Sequence, residues 1–178
     1  IATAWRLPIT IAGIITAVTF IHFIYMRSVW VQTGDVPIIY RYIDWIITFP
    51  LIAIEFYLVI ATLKKISSKI FWKFLIAALI MMVSLCLGEA GYLQSFIALL
   101  IALLGWIFIL YEIFSGEISK YFEKINDKHL VIIFKTMRMI IAAGWAIYPL
   151  GYIFGYLTTS FESGSLNAIY NLAEFVNK

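Results

Sequence analysis

The chain has 178 residues, of which 63% are hydrophobic and 13% charged, with a formal net charge of +3 and a mean hydropathy of +0.98. An average soluble domain carries about 25% charged residues, so a water-soluble enzyme, a disordered tail and a disulfide-stapled module are excluded and a polytopic membrane protein remains. The charge is too small to imply a nucleic-acid partner, no metal-ligand pattern stands out, and the lone Cys86 has no partner for an intrachain disulfide.

A helix needs ~20 mostly apolar residues to cross the hydrocarbon core. The first such run is 7–30, preceded by Arg6 and containing His22. The turn residues 32–37 separate it from 38–63, which holds Arg41, Asp44, Thr48 and Glu55. A joint with Lys64, Lys65 and Lys69 leads to 70–87, and Gly88-Glu89-Ala90-Gly91 leads to 92–114, which contains Trp106. The next joint carries Lys120, Lys124 and Lys128 and leads to 130–157. After 158–165 a sixth helical pattern runs from 166 to 178. The whole of 1–178 reads as a single transmembrane domain. Because the chain starts with Ile1 and stops at Lys178 inside a helical pattern, it is expected to be an internal portion of a longer protein.

Lys and Arg cluster at alternate joints, and the other joints have none. The positive-inside rule then places the Lys-rich joints in the cytoplasm and runs the first segment outward. The sixth segment also enters from outside, which puts Lys178 about 18 Å along its axis, near mid-membrane.

Ionisable side chains inside apolar spans are costly and by default mark a functional site. Six qualify: His22, Arg41, Asp44, Glu55, Glu174 and Lys178. Asp44, Thr48 and Glu55 fall on one helical face, since spacings of four and eleven are close to whole numbers of turns. Glu174 stands four before Lys178, one turn away. His22 and Asp44 lie at similar depths, so adjacent antiparallel helices are expected to bring them together. A lysine at mid-membrane has two uses open to it, as a plain amine or as a Schiff base with an aldehyde. In the latter case Asp44 and Glu174 balance the charges of the Schiff base and Arg41.

Trp145, Tyr148, Pro149 and Tyr152 follow an i, i+3, i+4, i+7 spacing and share a face. Aromatic rows of this kind are mostly ordinary core. Beside a buried lysine, with Trp45 and Trp106 elsewhere in the spans, they are also rigid surfaces able to clamp a flat conjugated ligand. Pro149 removes a mid-helix hydrogen bond and favours a kink. Gly151-x-x-x-Gly155 reads as helix packing.

Arg41-Tyr42-Ile43-Asp44-Trp45-Ile46-Ile47-Thr48-Phe49-Pro50-Leu51 resembles the third-helix signature of microbial rhodopsins, specifically the proteorhodopsin group. Gly88–Gly91, Gly144–Tyr152, Ile169–Lys178 and Met26–Trp30 with His22 agree with it, so the likeness runs along the whole chain. The resemblance implies an all-α membrane bundle of seven helices, of which this chain would hold the second to sixth and half of the seventh. It implies all-trans retinal bound to Lys178 as a Schiff base. Asp44 would be counterion and primary proton acceptor, with His22, Arg41 and Thr48 around it, Glu174 a second counterion and Glu55 the cytoplasmic proton donor. Tyr42, Trp45, Ile52, Trp106, Trp145, Tyr148, Pro149 and Tyr152 would line the retinal pocket. In this family an apolar side chain at the position of Ile52 goes with green absorption and a polar one with blue. Glu174 stands where the family usually has Asp, which keeps the charge and displaces it by a methylene. The implied function is a light-driven outward proton pump in a bacterial inner membrane, among lipid and as a homo-oligomer, and not an enzyme. The alternatives are a photosensory rhodopsin signalling through a partner, which needs no fast internal donor such as Glu55, and a light-independent transporter.

Overall fold

The structure is a computed structural model that describes residues 3–35, 38–62, 66–123, 127–158 and 163–178. The chain divides into two compact units, Ile1–Ala102 and Leu103–Lys178.

In the first unit a 3₁₀ turn at Thr3–Trp5 leads into α1 (Arg6–Thr33), followed by α2 (Ile38–Ala61) and α3 (Ser68–Glu89). Each end has a local cause. Gly34 takes the left-handed conformation, φ 76°, and returns its N–H to the carbonyl of Trp30 at 2.8 Å, which closes α1. The Ser67 side chain accepts the N–H of Lys69 and starts α3. Gly91, φ 77°, turns the chain after α3, where the Leu87 carbonyl accepts the N–H groups of Tyr92 and Leu93. α2 packs against both α1 and α3, and half of its 24 residues are buried, including Tyr42, Trp45, Phe49, Ile52 and Phe56. Phe56 stacks on Phe74 of α3 at 5.8 Å.

α4 (Ser95–Phe114) spans the boundary between the units. The second unit continues with α5 (Glu117–Phe122), α6 (Lys128–Met139), a π-helical stretch Ile140–Gly144, α7 (Ile147–Tyr152), a second π-helical stretch Ile153–Leu157, and α8 (Ser163–Asn177). Asp127 caps α6 by accepting the N–H groups of His129 and Leu130.

Among the described residues, five helical stretches are long and apolar enough to cross a membrane: Thr3–Thr33, Ile38–Ala61, Ser68–Glu89, Ser95–Phe122 and Lys128–Gly155. This is a multi-pass membrane protein, and exposed apolar residues such as Phe20, Ile21, Trp72 and Leu104 are what its lipid-facing surface requires.

The helices depart from the sequence expectation in four places. The fourth starts at Ser95 rather than at 92, because Tyr92 and Leu93 belong to the turn. The joint 115–129 contains α5, since the buried Glu112 accepts the N–H of Glu117 at 3.2 Å and supplies the acceptor a new helix start needs. The segment 130–157 is not one continuous α-helix. The sixth begins at Ser163, three residues early. Residue 63, Lys64, Lys65, Lys124 and residues 36–37 and 159–162 lie outside the described residues.

The break in the fifth span follows from its sequence. Pro149 has no N–H to give the carbonyl of Trp145, and the N–H of Tyr148 takes that carbonyl instead at 3.2 Å. Upstream, the N–H of Trp145 reaches five residues back to Ile140 at 3.1 Å rather than four back to Ile141. The Ile141 carbonyl accepts the indole N–H of Trp106 at 3.0 Å.

Candidate functional site

The charges expected to matter form two clusters, one in each unit. In the first, α1 and α2 carry residues that converge on the carboxylate of Asp44, which is fully buried. His22 Nδ1 lies 3.8 Å from Asp44 Oδ1, so antiparallel packing does bring the two together. The same nitrogen is 3.0 Å from the carbonyl of Val18, which makes that carbonyl its hydrogen-bond partner. The hydroxyl of Thr19 donates directly to Asp44 Oδ1, at 3.3 Å. Sequence reasoning missed Thr19, although it precedes His22 by three residues and so shares its face. Thr48 is fully buried and donates to the backbone carbonyl of Asp44 at 2.9 Å, not to its carboxylate. Arg41 is buried one turn before Asp44. Glu55 sits eleven residues on from Asp44, roughly 16 Å along the axis, and is half-buried.

Aromatic rings surround this part of α2. Tyr42 and Trp45 meet edge to face at 5.2 Å, and Trp45 lies 6.1 Å from Phe49. All three are 1% exposed, and Ile52 is buried on the next turn.

In the second unit, Lys178 Nζ donates to Glu174 Oε2 at 3.3 Å, and both side chains are almost wholly shielded. The N–H of Lys178 continues the α8 ladder to the carbonyl of Glu174 at 3.0 Å. Trp145, Tyr148 and Tyr152 are each no more than 2% exposed. Tyr148 stacks on Tyr170 of α8, with ring centres 6.1 Å apart and planes 15° apart. Pro149 and Trp106 are half-buried. Gly151 permits close approach of α8, because a Cβ there would stand 2.6 Å from the Tyr170 ring, and one at Gly155 would meet Leu166. Asn177, the neighbour of Lys178, is a further polar residue that the sequence reading passed over. Its Nδ2 donates to the carbonyl of Gly144 at 3.0 Å and lies 3.3 Å from the hydroxyl of Tyr148.

Two more charges within the spans went unremarked in sequence. Glu112 caps α5 as described. Arg138 lays its guanidinium over Phe114, 4.0 Å from the ring centre, and 5.7 Å from that of Phe134. Among the described residues no group of three or more His, Cys, Asp or Glu is arranged to hold a metal ion.

Each cluster sets a buried carboxylate beside an ionisable partner, and ionisable groups shielded within membrane spans mark functional sites. The family model for bacteriorhodopsin-like proteins matches residues 1–178. The chain belongs to the bacteriorhodopsin-like family. This bacteriorhodopsin-like chain is 41% identical over 179 residues to a green-light absorbing proteorhodopsin of Gamma-proteobacterium EBAC31A08, across all of the chain and 72% of that protein. It is 40% identical over 184 residues to a blue-light absorbing proteorhodopsin of Gamma-proteobacterium Hot 75m4, across all of the chain and 71% of that protein. The crystal structure of a blue light-absorbing proteorhodopsin from Med12 matches it with a TM-score of 0.78 at 40% identity, over all of this chain and 78% of that one. The expected family and the all-α fold class are both borne out.

Proposed function

We propose that this protein is a light-driven outward proton pump that binds all-trans retinal as a Schiff base on Lys178. The observation that carries the reading is the buried amine of Lys178, held 3.3 Å from Glu174 in a chain of the bacteriorhodopsin-like family. The residues present fit the group. Lys178 offers a shielded primary amine to condense with an aldehyde, Glu174 offers the compensating charge, and Trp145, Tyr148 and Tyr152 are buried flat surfaces. Bound retinal would supply light absorption and a photoisomerisation that changes the proton affinity of the Lys178 nitrogen.

This chain's own residues do the rest. Asp44 accepts the proton that leaves Lys178 Nζ, while the Thr19 hydroxyl orients its carboxylate and His22 stands 3.8 Å from the same Oδ1. Glu55 returns a proton to the same nitrogen and is reloaded from the cytoplasm. Asp44 then releases its proton to the outer side, so one cycle moves one proton outward and leaves every residue as it started. Arg41 and the two carboxylates keep the buried charge balanced. The relatives' names support the light-absorbing part of the reading. The Lys-rich joints support a bacterial inner membrane orientation with those joints in the cytoplasm. A homo-oligomer in lipid belongs to the same proposal. Sealed vesicles containing the full-length protein, illuminated in weak buffer, test it: light-dependent net proton movement is expected. A photocycle without net movement would leave a photosensor instead.

A further inference from the structure

We infer that Asn177 is a positioning residue for the chromophore site, fixing the turn that carries Lys178 against the break in the α6–α7 segment. The inference rests on the reading that Lys178 carries retinal. It begins with the proline. The N–H of Tyr148 turns to the carbonyl of Trp145, three residues back, at 3.2 Å, and Pro149 after it has no N–H to offer the turn above. A backbone carbonyl buried in a membrane span needs a donor. Asn177 Nδ2 donates to the carbonyl of Gly144 at 3.0 Å.

Two features show that this contact is built for this place. Gly144 has no side chain, and a Cβ there would collide with the Asn177 amide. The same Nδ2 stands 3.3 Å from the Tyr148 hydroxyl, so one amide engages both the backbone of the break and an aromatic ring of the proposed pocket. Seven residues back on the same face of α8, the Tyr170 ring stacks on Tyr148 and its hydroxyl reaches the Tyr148 carbonyl at 3.5 Å. Tyr148 is thus held at both ends of a two-turn stretch of α8. Asn177 is also the residue immediately before Lys178, whose N–H is locked into the α8 ladder. Any shift of Asn177 relative to Gly144 therefore displaces the Cα of Lys178 relative to Tyr148. This contact sets the colour of a ligand on Lys178 and the speed with which it relaxes after isomerisation.

The test uses the full-length protein reconstituted with all-trans retinal, read by the visible maximum, by the rate of dark-state recovery after a flash, and by thermal unfolding. Asn177→Leu removes the donor while keeping the branched shape, and Gly144→Ala evicts the same amide. Both are expected to form pigment with a shifted maximum and recovery changed several-fold. The Gly144→Ala, Asn177→Ala pair should show no more than one single effect, because both changes remove one contact. If Asn177→Leu lowers only the unfolding midpoint, with band and recovery as in the parent, the contact is merely structural and the inference fails. If Asn177→Leu gives no folded pigment, Tyr148→Phe replaces it. That variant removes one of the two Asn177 contacts and is expected to shift the maximum in the same direction as Gly144→Ala, and an unmoved maximum overturns the inference. A full visible band in Lys178→Ala would refute the retinal reading itself, a separate outcome.

Discussion

Gly151→Ala is expected to destabilise the protein by an amount that can be worked from its surroundings. The new Cβ would lie 2.6 Å from Tyr170 Cε1, 2.8 Å from its hydroxyl and 2.9 Å from Cζ. The Tyr170 ring is rigid, 4% exposed and stacked on Tyr148, so it has little room to withdraw. Overpacking of this kind costs ~1–3 kcal/mol, and the gain from replacing a helical glycine by alanine is ~0.5–1 kcal/mol. The net loss is about 1 kcal/mol, with the opposite sign from an unhindered site. Two glycines serve as references. Gly13 has nothing within 4 Å of its Cβ position, so Gly13→Ala should be neutral or stabilising. At Gly155 the one close atom is the terminal Cδ2 of Leu166, at 2.5 Å, while the next are 3.6 Å away. A rotamer change relieves that contact, and Gly155→Ala should fall between the other two. The assay is denaturant or thermal unfolding in lipid nanodiscs, followed by helical signal. Tyr170→Leu should recover part of the Gly151→Ala loss when the two are combined. If Gly151→Ala proves as stable as Gly13→Ala, the close approach of α8 at Tyr170 is wrong.

Trp145→Ala empties the volume of a ring that is 1% exposed. A loss of ~3–5 kcal/mol is expected by analogy with soluble cores, together with a weakened or shifted visible band; unfolding and absorption measured on one sample check both. Ile52→Gln introduces a dipole at a buried position of α2, and a blue shift from a green parent maximum is the expected spectrum. Thr19→Val deletes the hydroxyl bonded to Asp44 and should alter the visible band, whereas Thr19→Ser should retain the parent spectrum. Glu55→Gln should keep the colour and slow reprotonation in flash kinetics, with azide restoring the rate.

Much of the first unit was legible in the sequence because apolar length and capping residues are local. α1, α2 and α3 fall within a few residues of the runs 7–30, 38–63 and 70–87. The His22–Asp44 approach followed from matched depth on neighbouring antiparallel helices, and the Glu174–Lys178 contact from the i, i+4 rule. What escaped depends on partners distant in sequence. Pro149 announces a lost donor, yet the form of the break depends on Trp106 reaching Ile141 and Asn177 reaching Gly144, and neither spacing is periodic. α5 was hidden because its start is satisfied by Glu112, a side chain near the end of the preceding apolar run. Thr19 was overlooked because a helical threonine ordinarily bonds its own helix, as Thr10 and Thr16 do.

The central claim is light-driven outward proton transport, and the most direct measurement is the pH outside cells or vesicles whose cytoplasmic face is inward. With the full-length protein, retinal and green light, the medium should acidify. A protonophore should abolish the signal, and so should Lys178→Ala and Asp44→Asn. A medium pH that stays unchanged in light, while flash spectroscopy shows the pigment turning over, would contradict the account.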